Sequence, residues 1–209
     1  MVIAIDGPAG SGKSTVAKRI AGILGYAFLN SGSFYRGITL LALRNAINPT
    51  DEQALTALAK SLSIEYAHSC LVINGEDVED KLHSDAVDAQ VSAVSAVVPL
   101  RRIVNEKIRA VTESQNVVCE GRDMTTTVFP DADYKFYLDA SIDVQATRRY
   151  QQGVSNLTLE EIKETIRARD ESDKNKAEGS LKIASDATYI DTSGLTVDKV
   201  CAIIIDLII

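Results

Sequence analysis

The stretch Val2-Ile3-Ala4-Ile5-Asp6-Gly7-Pro8-Ala9-Gly10-Ser11-Gly12-Lys13-Ser14-Thr15 decides the fold. An apolar run stops at Asp6, four residues separate Gly7 from Gly12, and Lys13-Ser14 follow, so the pattern G-x-x-x-x-G-K-[ST] is complete. Residues 2–5 read as a buried strand, and Val16, Ile20, Ile23 and Leu24 recur at helical spacing after the loop. A strand, a glycine-rich turn and a helix in this order form a phosphate-binding loop. Its backbone N–H groups curl toward phosphate oxygens, and the helix N-terminus adds the positive end of its dipole. Gly7, Pro8, Ala9, Gly10, Ser11, Gly12, Lys13, Ser14 and Thr15 are therefore the candidate residues for a nucleotide's phosphates. Lys13 is placed to bridge β- and γ-phosphates, and the Ser14 hydroxyl to hold Mg²⁺.

The rest of the composition agrees with a small α/β enzyme. At 209 residues the chain suits one domain with a small insertion, and it can bury a full core without disulfides or metals. Cys70, Cys119 and Cys201 are odd in number and show no C-x-x-C spacing; Cys119 lies in an apolar run, as a buried thiol does in a reducing compartment. A cytoplasmic location is expected, since the chain opens directly on the loop strand and no apolar stretch reaches the roughly eighteen residues of a membrane span. A net charge of -7 argues against a general binder of nucleic-acid polymers, which needs a basic face.

Along the chain, strands are expected at residues 26–29, 64–67, 71–74, 116–119, 135–138 and 187–190. Helices are expected at 13–24 with Gly25 as cap, from Ser31 or Ser33 to Arg44, at 52–61, over 84–115 with a break near Pro99, at 143–151, 158–173 and 196–208. Residues 62–90 interrupt the αβ alternation with antiparallel ribbon. They read as an insertion beside the substrate, and His68 and His83 within them read as surface or structural histidines. The polar helix after residue 152 reads as a lid over about 152–176, leaving 1–61, 91–151 and 177–209 as the core. Tyr35 and Arg36 stand just beyond the end of a strand, where open α/β sheets bind ligands. Arg101 and Arg102 sit at a helix start against its dipole, a cost that an anion offsets. Glu120-Gly121-Arg122-Asp123 follows a buried strand and has the form of a substrate clamp, because Arg grips a phosphate bidentately.

Taken together, residues 5–14, Ser31-Gly32 with Tyr35-Arg36, Glu120-Gly121-Arg122-Asp123 followed by Val128-Phe129-Pro130-Asp131-Ala132, Arg148-Arg149, Arg169-Asp170 and Ile190-Asp191-Thr192-Ser193 resemble the bacterial cytidylate kinases. The resemblance spans essentially the whole chain. It implies a P-loop fold with a parallel five-stranded sheet flanked by helices, a small antiparallel insertion in the region that binds the nucleoside monophosphate, and a helical lid. It implies ATP and Mg²⁺ as cofactors, CMP and dCMP as acceptors, and action as a monomer with no membrane partner. Residue by residue, it places Arg36 and Arg122 on the CMP phosphate, with Ser31, Ser92, Arg101 and Asp123 around the base and Tyr35 beside them. Lys13, Arg122, Arg148, Arg149, Arg169 and Lys176 would act on the transferring phosphates, and Asp173 would face the sugar. Departures from the family pattern fall at Asn30, Thr125, Thr126, Ser172, Lys174, Lys176 and Gly179-Ser180-Leu181. Lys176 stands where Arg is the rule, which keeps a charge but loses the bidentate fork.

A monophosphate acceptor already carries its nucleophilic oxyanion, so the reaction needs positioning and charge neutralisation and no base. A hydroxylated acceptor would instead need a carboxylate, for which only Asp6 or Asp123 stands in the right region. A nucleotide-dependent switch is the remaining reading, but the sequence has no N-K-x-D guanine signature and no D-x-x-G after the third strand.

Overall fold

The computed structural model describes residues 1–67, 70–153 and 157–209. His68, the turn expected at His68-Ser69 and the loop expected at 154–156 lie outside the described residues. In chain order the elements begin with β1 (Val2–Asp6), α1 (Lys13–Leu24), β2 (Ala27–Asn30), α2 (Ser31–Arg44) and α3 (Glu52–Ser61). The ribbon strands β3 (Ile64–Ala67), β4 (Cys70–Ile73) and β5 (Glu76–Asp77) come next, then α4 (Asp85–Ala96) and α5 (Val98–Thr112). The chain ends with β6 (Val117–Gly121), β7 (Tyr134–Asp139), α6 (Ile142–Gln151), α7 (Leu159–Lys174), β8 (Thr188–Asp191) and α8 (Val197–Ile208). The large sheet is parallel, with strand order β2-β6-β1-β7-β8.

The chain forms two compact units, residues 1–26 with 117–209, and residues 27–116. In the first, β1 runs parallel to β6 on one side and β7 on the other, with Asp6 level with both Gly121 and Tyr137. Ile3, Ala4 and Ile5 are fully buried, as expected of a parallel strand covered on both faces, which therefore reads as a continuous apolar run. α1 packs on β6 and α8, and α6 packs on α7.

In the second unit α2 packs on α4, and α3 on α5. The three-stranded antiparallel ribbon sets Ile64 opposite Ile73, and Ile73 opposite Glu76. Its tight turn uses Asn74 and Gly75 at φ 51° and 79°, the pair of positive values that a two-residue hairpin with native twist requires. Fully buried Phe34 stacks on Tyr66 with ring centroids 5.7 Å apart.

Most boundaries fall within one or two residues of those read from sequence, and two differ for identifiable reasons. The cap of α2 is Asn30, not Ser31 or Ser33: β2 carries extended backbone through Asn30, whose side chain then accepts from Gly32 N at 2.8 Å. The break between α4 and α5 falls at Val97, with Pro99 inside the first turn of α5, because Pro is tolerated there and restricts only what precedes it. Gly37 on α2 faces the ribbon so closely that a Cβ would lie 2.6 Å from Ile73 Cδ1 and 2.7 Å from Leu71 Cδ2. Gly37→Val is expected to destabilise the chain by about 1–3 kcal/mol through overpacking, partly offset by helix propensity. Chemical denaturation with an unchanged m value would measure it.

Candidate active site

β1 delivers the chain to the loop at Asp6. This side chain is fully buried, and its carboxylate accepts from Met124 N (2.9 Å), Thr125 N (2.7 Å) and Thr125 Oγ1 (2.6 Å). The donors belong to a wide helical turn over Met124–Val128, closed by bonds from Val128 N to Asp123 O and from Phe129 N to Met124 O. Burial pushes the Asp6 carboxyl up to about 6, with the three hydrogen bonds opposing it. Gly7 follows at φ 155°, and an added Cβ would stand 2.0 Å from Leu138 O, so β7 admits no other residue there. Gly10 is equally confined, its Cβ position lying 2.9 Å from the Gln145 backbone oxygen on α6.

Lys13 opens α1 and is almost completely buried; its ammonium donates to Pro8 O at 3.0 Å. Burial above all, and then the neighbouring Arg122 charge, push it down to about 7; Glu120 and Asp170 pull the other way, and Arg169 adds to the depression. Ser14 Oγ donates to Glu120 Oε1 at 2.8 Å. Glu120 is 3% exposed and sits level with Ile5 on β1. A hydroxyl and a carboxylate side by side at the loop are the hard oxygen donors that Mg²⁺ takes. The sequence reading assigned Glu120 no role as a ligand, although a charged residue ending an otherwise apolar strand was a usable signal.

Arg122 bridges the loop and α7: its Nη1 donates to Gly7 O at 3.0 Å and its Nε to Asp173 Oδ2 at 2.9 Å. Lys176 Nζ meets the other oxygen of Asp173 at 2.7 Å. Burial alone would raise the Asp173 carboxyl, but Arg122 and Lys176 together carry it below the usual range. One turn earlier, Asp170 Oδ1 accepts from Ala9 N at 3.2 Å, and burial raises this carboxyl. Arg148 reaches Gly10 O at 3.4 Å and is anchored on Thr192 through Oγ1 (3.0 Å) and the carbonyl (2.8 Å). Arg149 is exposed and bonds Gln152 on its own side of α6. Arg169 is exposed, its charge felt at Lys13, and Thr15 is exposed on α1. Asp123 is 3% exposed at the head of the wide turn.

The second unit carries a separate polar cluster. Arg101 is buried, donates to Ser95 O at 2.9 Å and lies 5.2 Å over the Tyr35 ring. Tyr35 and Ser31 are buried with it. Arg36 donates to Leu82 O at 3.0 Å and pairs with Asp88 at 2.5 Å. Ser92 is exposed on α4, and of the two arginines that open α5 only Arg102 faces solvent. The sequence reading did not foresee Asp88 as the partner of Arg36; an acid on a separate helix has no local pattern that ties it to α2.

A sequence model of the family described as cytidylate kinase matches residues 3–209. The chain belongs to the cytidylate kinase family. Cytidylate kinase of Borreliella burgdorferi (strain ZS7) is 46% identical over 211 residues, covering 99% of this chain and 96% of that one. As a family member the chain is an enzyme, a nucleoside-monophosphate kinase. Two solved structures share the fold at low identity. An uncharacterized protein from Eubacterium ventriosum has a TM-score of 0.58 at 14% identity over 100% of this chain and 98% of its own. A shikimate kinase from Bacteroides thetaiotaomicron has a TM-score of 0.51 at 12% identity, with coverage of 100% and 98%.

The Asp6 environment gives a pH test. Burial pushes its folded carboxyl up to about 6, above the ordinary carboxylate range, so between the two values the folded state holds a proton that the unfolded state has released. Its stabilising contribution is therefore full below the unfolded value and is lost as pH rises through the folded one. Between pH 4 and 6 the stability of the wild type relative to Asp6→Asn should fall, by up to about 3 kcal/mol. Urea titrations of both proteins across that range would reveal a parallel pH dependence if the burial is misjudged.

Proposed function

We propose that the chain transfers the γ-phosphoryl group of ATP to CMP and dCMP by direct in-line displacement, with the roles divided as follows. The loop Gly7, Pro8, Ala9, Gly10, Ser11, Gly12, Lys13, Ser14 and Thr15 cradles the donor's phosphates through backbone N–H groups, with Pro8, which has none, and Ala9, whose N–H is held by Asp170, shaping the loop. Lys13 gathers the β- and γ-phosphates, and contact with them restores the charge that burial depresses. Ser14, with Glu120 beside it, holds Mg²⁺, which supplies charge neutralisation at the phosphates. Arg122, Arg148, Arg169 and Lys176 stabilise the transferring group, and Arg149 joins them on leaving its contact with Gln152. Ser31, Tyr35, Arg36, Ser92, Arg101 and Asp123 recognise the acceptor, Arg36 and Arg122 gripping its phosphate and Asp173 facing its sugar. Residues 62–90 serve as the acceptor-side insertion, and 152–176 as the lid. The enzyme works as a monomer. The buried thiols of Cys119 and Cys201 support a cytoplasmic location, and no helix among the described residues is long and apolar enough to cross a membrane.

The observation that carries the choice of acceptor is the state of Asp6. Transfer to a hydroxyl needs a carboxylate base. Of the two carboxylates that could serve, both oxygens of Asp6 are committed to Met124 and Thr125, and Asp123, which remains, is buried at the head of the wide turn and is assigned to the acceptor's base. A monophosphate brings its own oxyanion, so the remaining inventory of cations is sufficient. The paired carboxylates suit this chemistry too: Asp173 on Arg122 and Lys176, and Asp88 on Arg36, are anions of the kind that phosphate oxygens replace.

A coupled ADP-release panel over CMP, dCMP, UMP, AMP, GMP and shikimate tests the reading. CMP and dCMP should be the best acceptors, and faster turnover of AMP or shikimate would sink it. Lys13→Ala should abolish turnover with native circular dichroism retained. Arg36→Ala should cost about 3 kcal/mol in kcat/KM for CMP, the scale of one lost donor to a reacting phosphate, with ATP affinity little changed. Lys176→Ala should lower kcat about tenfold, and Lys176→Arg should match or exceed the wild type.

A further inference from the structure

Asp170 belongs to no role assigned so far, yet its carboxylate joins α7 to the loop backbone: Oδ1 accepts from Ala9 N at 3.2 Å. The same peptide unit is gripped on its other edge, because Pro8 O accepts from the Lys13 ammonium at 3.0 Å. A peptide is planar, so an acceptor fixed on its N–H edge fixes the direction of its carbonyl. The preceding carbonyl, Gly7 O, is held by Arg122, which also holds Asp173 on α7. Carboxylates one turn apart on α7 thus hold two successive peptides of the loop, and the second of these peptides accepts the hydrogen bond of the Lys13 ammonium.

We propose that Asp170 is a positioning residue of the transfer: it orients the Pro8–Ala9 peptide and, through that peptide, the Lys13 ammonium. Attachment of α7 to the loop and placement of the lysine then become one event. The proposal rests on the P-loop kinase reading above. When Lys13 turns from Pro8 O to phosphate, Asp170 keeps the vacated carbonyl from rotating into the phosphate site, where its partial negative charge would repel the donor.

Asp170→Ala removes the hydrogen bond, whereas the amide oxygen of Asp170→Asn can accept it without the charge. Asp170→Ala should lower kcat at least about tenfold with the dissociation constant for ATP within about threefold of wild type, and Asp170→Asn should recover most of that loss. Glu164→Gln, on the exposed face of α7, should change neither kcat nor ATP affinity. The proposal is overturned if Asp170→Ala keeps wild-type kcat, if it weakens ATP binding as much as it lowers kcat/KM, or if Asn rescues nothing. The kcat comparison can be run with whichever acceptor the wild type uses, so failure of CMP as acceptor would be told apart from failure of Asp170.

Discussion

A lysine ammonium taken out of water at the start of α1 is the constraint from which the rest of the site follows. Burial of Lys13 costs free energy, visible as a titration pushed down to about 7, and Arg122 adds to the cost. A buried cation of this kind is tolerable only where acceptors and anions stand around it. Pro8 O takes its hydrogen bond, while Glu120 and Asp170 supply the opposing charge. The same balance recurs at Arg122, which is satisfied by Gly7 O and Asp173. Each cation is stabilised by a group that a phosphate oxygen can replace, so the site is stable in itself and ready for a polyanion.

The backbone beneath these charges is rigid for steric reasons. Leu138 O leaves no room for a side chain at Gly7, and Gln145 leaves none at Gly10, so β7 and α6 form the loop's floor. Asp6 ties the carboxyl end of β1 to the wide turn at Met124–Val128 by three hydrogen bonds, which places Asp123 at the head of that turn. Thr125, where the sequence departs from the family pattern, uses both its N–H and its hydroxyl on Asp6, so the substitution is structurally absorbed. One of the two carboxylates that a hydroxyl kinase could use as base, Asp6, is in this chain part of the framework.

The departure at Lys176 is absorbed in a similar way. An ammonium carries three donors around a single centre and needs no planar partner. It meets one oxygen of Asp173 while Arg122 meets the other, so the two cations share the carboxylate without competing for its geometry. Glu120 and Ser14 show the converse case, in which a buried acid accepts from a neutral hydroxyl.

The sequence by itself determined the phosphate loop, the order of strands and helices and the antiparallel ribbon after α3. These are local matters: hydrophobic period, glycine spacing and turn chemistry act within a few residues, and the motifs at 5–14 and 120–123 sit at strand ends whose position the apolar runs announce. Only the tertiary structure decided how those residues are paired. Asp88 on Arg36, Asp173 on Arg122, Asp170 on Ala9 and Glu120 on Ser14 join positions 52, 51, 161 and 106 residues apart. It also turned Arg149 outward while anchoring Arg148 on Thr192, although the two are neighbours in the chain. Adjacent residues on a helix point about 100° apart, and a salt bridge depends on where packing brings two backbones together. No spacing rule along one chain contains that information.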